Sequence, residues 1–151
     1  MATVISAHAA DGVISLPSAH DVPTTAKRLV NALEAKGMRI FTQVDHAAGA
    51  ASVDLDLRPT HLVIFGNPKV GTQLMQCHQT AALDLPQKAL IWEDEQGRVW
   101  LSYNDPVYMA KRHSIEDCGP VVEKIQQALA NFARAATAGE KKASGDDEIF
   151  Y

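Results

Sequence analysis

Cys77 and His78 stand side by side, with Asp84 a few residues on and Asp45-His46 well upstream, and these polar groups come nearest to a reactive set in the chain. A thiol activated by an imidazole is a nucleophile. That chemistry requires Cys77 within hydrogen-bond reach of a histidine such as His46, and a donor to hold the oxyanion that forms. A plainer reading competes with it: an imidazolium at a helix C-terminus is stabilised by the helix dipole, and a lone cysteine behaves as a small buried hydrophobe. The pattern assigns no catalytic residue.

The segment Gly66-Asn67-Pro68-Lys69-Val70-Gly71-Thr72 places two glycines at phosphate-loop spacing, but Thr72 stands where that motif needs a lysine. Pro68 also removes a backbone donor that such a loop would use. What survives is a helix start whose free N–H groups and dipole favour a carboxylate or phosphate, against the simpler reading that Asn67 caps the turn and Pro68 shapes it. The candidate ligand-binding residues are therefore Asn67, Lys69, Thr72, His46, His78 and Asp84. Metal binding could draw on His46, His78 or His113 with Asp84 or Asp105, yet no His pair has i, i+4 spacing on one helix and no Cys-x-x-Cys occurs. The expectation is no metal, and no motif names a cofactor. Trp92, Trp100, Tyr103, Tyr108 and Met75 could line an aromatic pocket, or fill a sheet-to-helix core.

Composition narrows the classes. The chain has 151 residues, enough for one domain, with 46% hydrophobic and 21% charged residues and a net charge of −4. A domain of this length buries about 68–70% of its unfolded surface and needs no staples. The acidic balance gives no footprint for a nucleic-acid backbone, and no segment approaches membrane-spanning length. Two cysteines without metal or redox spacing read as reduced, buried thiols rather than a disulfide framework. The start of the chain makes a poor export signal, so the expected location is cytoplasmic.

His61 to His78 is the stretch around which the rest of the chain is organised. Leu62-Val63-Ile64-Phe65 is an unbroken apolar run suited to a buried strand. Gly66-Asn67-Pro68 then turns it into a helix whose Val70, Leu74 and Met75 share a face. Before it come a short edge strand over Gly12–Pro17, a helix over Val22–Lys36 capped by Asp21 and stopped by Gly37, and a strand alternating Met38, Ile40, Thr42 and Val44 with Arg39, Phe41 and Gln43. Ala47–Ser52 fits a single helical turn. After it, Gln79–Pro86 reads as a loop or short turn. Ala89–Glu93 and Val99–Tyr103 form a hairpin that can pair Trp92 with Trp100. Asp105-Pro106 starts a short helix, and Val121–Ala135 is the last, with Val122, Ile125, Leu129 and Phe132 on one stripe.

Phe65-Gly66-Asn67-Pro68, Gly71-Thr72, Met75, Leu85-Pro86, and Gly97-Arg98-Val99 through Tyr103-Asn104-Asp105-Pro106 follow one another in an order that resembles the domain of unknown function 302 family, from about Ser18 to His113. The resemblance implies a compact α+β domain of the TATA-binding-protein-like kind that dimerises. It supplies no function and no catalytic set.

The expected architecture is α+β: one antiparallel-rich sheet, the two long helices on one face, and the helix after Gly66-Asn67-Pro68 closing an end or flank. Residues 1–11 are expected to be loosely ordered, 12–136 to form the domain, and 137–151 to be a flexible polar tail. The expected function is a small-molecule-binding homodimer with its site near Asn67, His46 and His78. Two alternatives stay open: an enzyme acting on a small anionic substrate through Cys77 or the histidines, and a structural protein–protein interaction module.

Overall fold

The computed structural model describes residues 10–139. In chain order the elements are β1 (Val13–Pro17), α1 (Val22–Ala35), β2 (Arg39–Asp45), α2 (His46–Ala51), β3 (Thr60–Gly66), α3 (Pro68–Cys77), a 3-10 segment (Gln79–Asp84), β4 (Gln87–Glu93), β5 (Val99–Asn104), α4 (Pro106–Arg112) and α5 (Val121–Thr137). The strands make one five-stranded sheet ordered β1-β5-β4-β3-β2, antiparallel at every pairing. This is the α+β arrangement expected from the sequence.

Alternation along the strands sorts the sheet into two faces. Val63, Phe65, Ala89, Ile91 and Leu101 point to the helix side and are at most 2% exposed. The other face carries the cross-strand pair Trp92 and Trp100, whose rings stack with centroids 6.4 Å apart. Around them Leu62, Ile64 and Leu90 are half-buried. Tyr103 belongs to the helix side, where burial, with the Asp105 charge adding to it, pushes its phenol above the ordinary tyrosine range.

The long helices form because their apolar residues recur at three- and four-residue spacing and their ends are satisfied. Asp21 accepts the Thr24 amide at 2.8 Å to cap α1. Leu29 and Leu33 are then sealed in the core at 1% and 0% exposure, each burial contributing roughly 1.5–3 kcal/mol. At the far end of α5, Arg28 donates to the carbonyls of Ala135, Ala136 and Ala138, which have no partner within the helix. That contact fastens the middle of α1 to the end of α5. α3 lies beside α5, with Leu74 buried beneath it.

Several details depart from the sequence reading. The segment after α3, read from sequence as a loop or short turn, is a 3-10 helix over Gln79–Asp84. α5 runs through Thr137, whose hydroxyl donates to Ala133 O at 2.8 Å, so the helix crosses the expected start of the tail. Of the expected loose N-terminus, residues 1–9 lie outside the described residues, as does the expected tail from residue 140. The largest correction concerns sulfur. Cys77 and Cys118 are joined by a disulfide with Cα atoms 6.0 Å apart, whereas the sequence reading had them reduced and buried. Separation in sequence hid the pair: the chain between them, from the 3-10 turn to α4, returns residue 118 to the end of α3. Cys77 is exposed there rather than buried.

Candidate ligand-binding cleft

Two walls and a floor enclose a cleft of about 630 Å³ on the helix side of the sheet. One wall is α3, through Val70, Gly71 and Met75; the other is α5, through Ile125, Ala128, Leu129 and Phe132. The floor is the end of the sheet where β3 stops, built from Met38, Phe41, Gly66 and Gln87, with Leu85 and Pro86 beside it. Asn67 holds the turn above this floor: its side-chain oxygen accepts the Lys69 amide at 3.0 Å, and Pro68 occupies the first helical position behind it. The volume falls within the range of small-molecule sites, which are concave, largely apolar and carry few polar groups.

A bulge in β2 brings Phe41 to the cleft. Ile40 pairs with Phe65 and Thr42 with Ile64, so Phe41 has no opposite number in the ladder. Bulges of this kind re-aim one side chain and bend the strand. Phe41 is 48% exposed and lies over Gly66, where a Cβ would come within 3.4 Å of its ring. The expected alternation along this strand missed the event, because one extra residue leaves no mark on an apolar-polar pattern.

A second polar assembly sits outside the cleft, where the 3-10 turn meets α4. Thr80 Oγ1 bridges His78 Nδ1 at 3.0 Å and His113 Nδ1 at 3.2 Å. His113 Nε2 donates to Asp84 Oδ2 at 2.5 Å, and Arg112 Nη1 donates to both Asp84 oxygens at 3.0 and 3.1 Å. A hydroxyl donates once and accepts freely, so His78 Nδ1–H can donate to Thr80 while Thr80 donates to His113, and every member is satisfied. The His113 side chain is only 4% exposed. The network fastens the 3-10 turn to the end of α4.

The six residues singled out from sequence fall in four places. Asn67 lines the cleft, while Lys69 and Thr72 lie exposed on α3 outside its lining. His78 and Asp84 belong to the network with His113. His46 caps neither: it follows Asp45, which pairs with His61 at the start of β3, while Asn67 follows the end of β3. The strand between them spans roughly 20 Å at about 3.4 Å per residue, so His46 does not share a site with Asn67. Cys77, bonded to Cys118, carries no thiol for His46 to activate. Trp92 and Trp100 are on the opposite sheet face, Tyr103 is in the core, and Tyr108 packs over Gly12, so no aromatic pocket gathers them. Among the described residues no three His, Cys, Asp or Glu side chains converge as a metal site.

The cleft residues Met38, Leu129 and Phe132 were readable as apolar but not as a site. Their spacing describes a helix or strand that packs; whether the facing element closes on them depends on where α3 stands.

A family model described as domain of unknown function DUF302 matches residues 14–132. A protein named fluoride-specific ion channel FluC 1 from Brucella suis biovar 1 (strain 1330) is 48% identical over 115 residues, covering 76% of this chain and 44% of that protein. Its counterpart of the same name in Brucella abortus biovar 1 (strain 9-941) is also 48% identical, with 41% of its length covered. The chain thus spans less than half of the curated relatives it matches. Among solved structures, an uncharacterised conserved DUF302 protein from Bacillus stearothermophilus superposes with a TM-score of 0.76 at 16% identity, covering 84% of this chain and 99% of that one. That likeness establishes the fold.

Proposed function

The chain belongs to the family described as domain of unknown function DUF302, and on that premise we propose that it is a binding domain for a small, largely apolar molecule held between α3 and α5. The observation that carries this reading is the cleft itself: about 630 Å³ left open between two helices and the sheet, lined by Met38, Val70, Met75, Leu129 and Phe132. Elsewhere side chains fill the space between sheet and helices, with Leu33, Val63 and Ile91 at 0% exposure. Closing the gap would bury more apolar surface, and a native core normally does so. A standing opening of this size fits a ligand that completes it.

Of the residues singled out from sequence, the proposal keeps Asn67 as a cleft residue. The relatives' name describes an ion channel, but the match covers less than half of each. Among the described residues no helix is long and apolar enough to cross a membrane. The Cys77–Cys118 bond counts against the cytoplasmic location expected from the sequence, because disulfides persist mainly in oxidising compartments. The homodimer implied by the family resemblance has a candidate surface in the sheet face opposite the core, around Leu62, Leu90 and Trp92.

The test is titration with a neutral solvatochromic dye, Nile red, against the native protein and Ala128→Trp. Ala128 is half-buried in the α5 wall, so an indole there occupies the cleft. Saturable one-to-one binding by the native chain, lost in a variant that still folds by circular dichroism, supports the reading. No saturable binding by the native chain, or equal binding by both, refutes it.

A further inference from the structure

Gln87 is 9% exposed and its side chain makes no hydrogen bond among the described residues. It opens β4 opposite Phe65, which is buried on the helix side, so the same register turns Gln87 toward the cleft that it lines. Among the described residues no fully buried side-chain nitrogen or oxygen lacks a partner, so the Gln87 amide opens onto the cleft, and a ligand that displaces water there must replace its hydrogen bonds. The ionic lining is one-sided too. Lys36 and Lys124 border the cleft, no Asp or Glu does, and neither lysine forms an ion pair among the described residues. In a chain of net charge −4 that is a local reversal of sign. The start of α3, with Asn67 and Pro68 in the lining, adds the positive end of a helix dipole.

We propose that the cleft takes an amphiphile with one anionic end, of the medium-chain carboxylate type. The Gln87 amide hydrogen-bonds to the ligand, Lys36 and Lys124 supply the compensating charge, and the apolar chain lies against Met38, Met75, Leu129 and Phe132. This rests on the preceding proposal that the cleft is a binding site. It goes further by assigning the ligand's charge and head group. A neutral apolar ligand would leave Gln87 unpartnered and gain nothing from the lysines, and a cationic one would be repelled by them.

The experiment compares dodecanoate with dodecan-1-ol, both below their aggregation limits, by calorimetric titration of the full chain. Dodecanoate is expected to bind about tenfold more tightly than the alcohol, the sum of two exposed charge contacts. Its affinity should rise about fourfold per methylene from octanoate upward until the cleft is full. Lys36→Glu with Lys124→Glu, both at exposed positions, should erase the preference for the acid and leave the alcohol unchanged. Gln87→Leu gives an independent reading. Lacking an internal partner to lose, it should match or exceed the native melting temperature while dodecanoate affinity falls about tenfold.

Equal affinity for acid and alcohol would overturn the assigned charge while leaving the cleft a binding site. Failure of both to bind, with Nile red also failing, would mark the collapse of the underlying reading instead. A Gln87→Leu variant that melts earlier and binds normally would show the amide to be structural and would overturn its assigned role. If sedimentation shows a dimer that Ala128→Trp dissociates, the cleft is occupied by a second copy and the proposal fails.

Discussion

Cys77 ends α3, Cys118 lies in the turn before α5, and a disulfide joins them across a sequence separation of 41. Since α3 and α5 are the two walls of the cleft, the bond ties those walls together at one end. It also closes a long loop containing the 3-10 turn, the β4–β5 hairpin and α4.

Loop closure of that length stabilises the folded chain by about 4 kcal/mol in the chain-entropy treatment. Complete reduction, or replacement of both cysteines by serine, is therefore expected to lower the urea midpoint substantially. Alkylation followed by mass measurement should find two reactive thiols only after reduction. An unchanged midpoint in the fully reduced protein would refute the stabilising role.

Asp84 is the acceptor on which His113 and Arg112 both depend. Asp84→Ala strands the buried His113 ring without its partner at Nε2, at a cost of about 1–3 kcal/mol. Arg112→Ala removes only the exposed member and is expected to cost less than about 1 kcal/mol. Denaturant melts of the two variants check the ordering, and equal losses would contradict it.

Asp94 organises the β4–β5 turn. It accepts from Trp100 Nε1 at 2.9 Å, from the amides of Gln96 and Arg98 at 2.9 Å each, and from the Arg98 guanidinium at 3.2 Å. The Trp100 hydrogen bond foremost, with the backbone amides and the Arg98 charge, holds its carboxyl below the ordinary value of 3.8. A depressed folded-state value favours the ionised form. Its contribution is present above about pH 4 and is lost as pH falls through the folded-state value. Asp94→Asn should therefore be less stable than the native chain at pH 7, with the difference shrinking toward pH 2. A difference independent of pH would show that the ionised state is not what the turn requires.

The parts of the fold that local chemistry dictates were legible in the sequence. Asp21, Asn67 and Asp105 each cap the helix that a following proline helps to start. The run Leu62–Phe65 is a strand with Val63 and Phe65 buried and Leu62 and Ile64 half-buried, and Gly97 at φ +77° turns the hairpin. What stayed hidden depends on distant neighbours. The Cys77–Cys118 bond, the one-residue bulge at Phe41 and the Thr80 bridge between His78 and His113 need elements to meet in space, and no window of sequence contains both partners. The cleft was hidden for a related reason: it is a space between elements, and the residues around it carry the same apolar pattern as a filled core.

The sheet order has a bearing on how the molecule comes into being. β1 pairs with β5, joining Ile14 to Tyr103 and Ser15 to Ser102, so the first strand of the sheet waits for the last before it has a partner. During synthesis β1 leaves the ribosome long before its docking edge exists, while β2 and β3 can pair with only α2 and its following loop between them. Assembly can thus begin with β2 and β3, proceed through β4 and β5, and finish by recruiting β1 from the start of the domain. Long-range closure of this kind is slow.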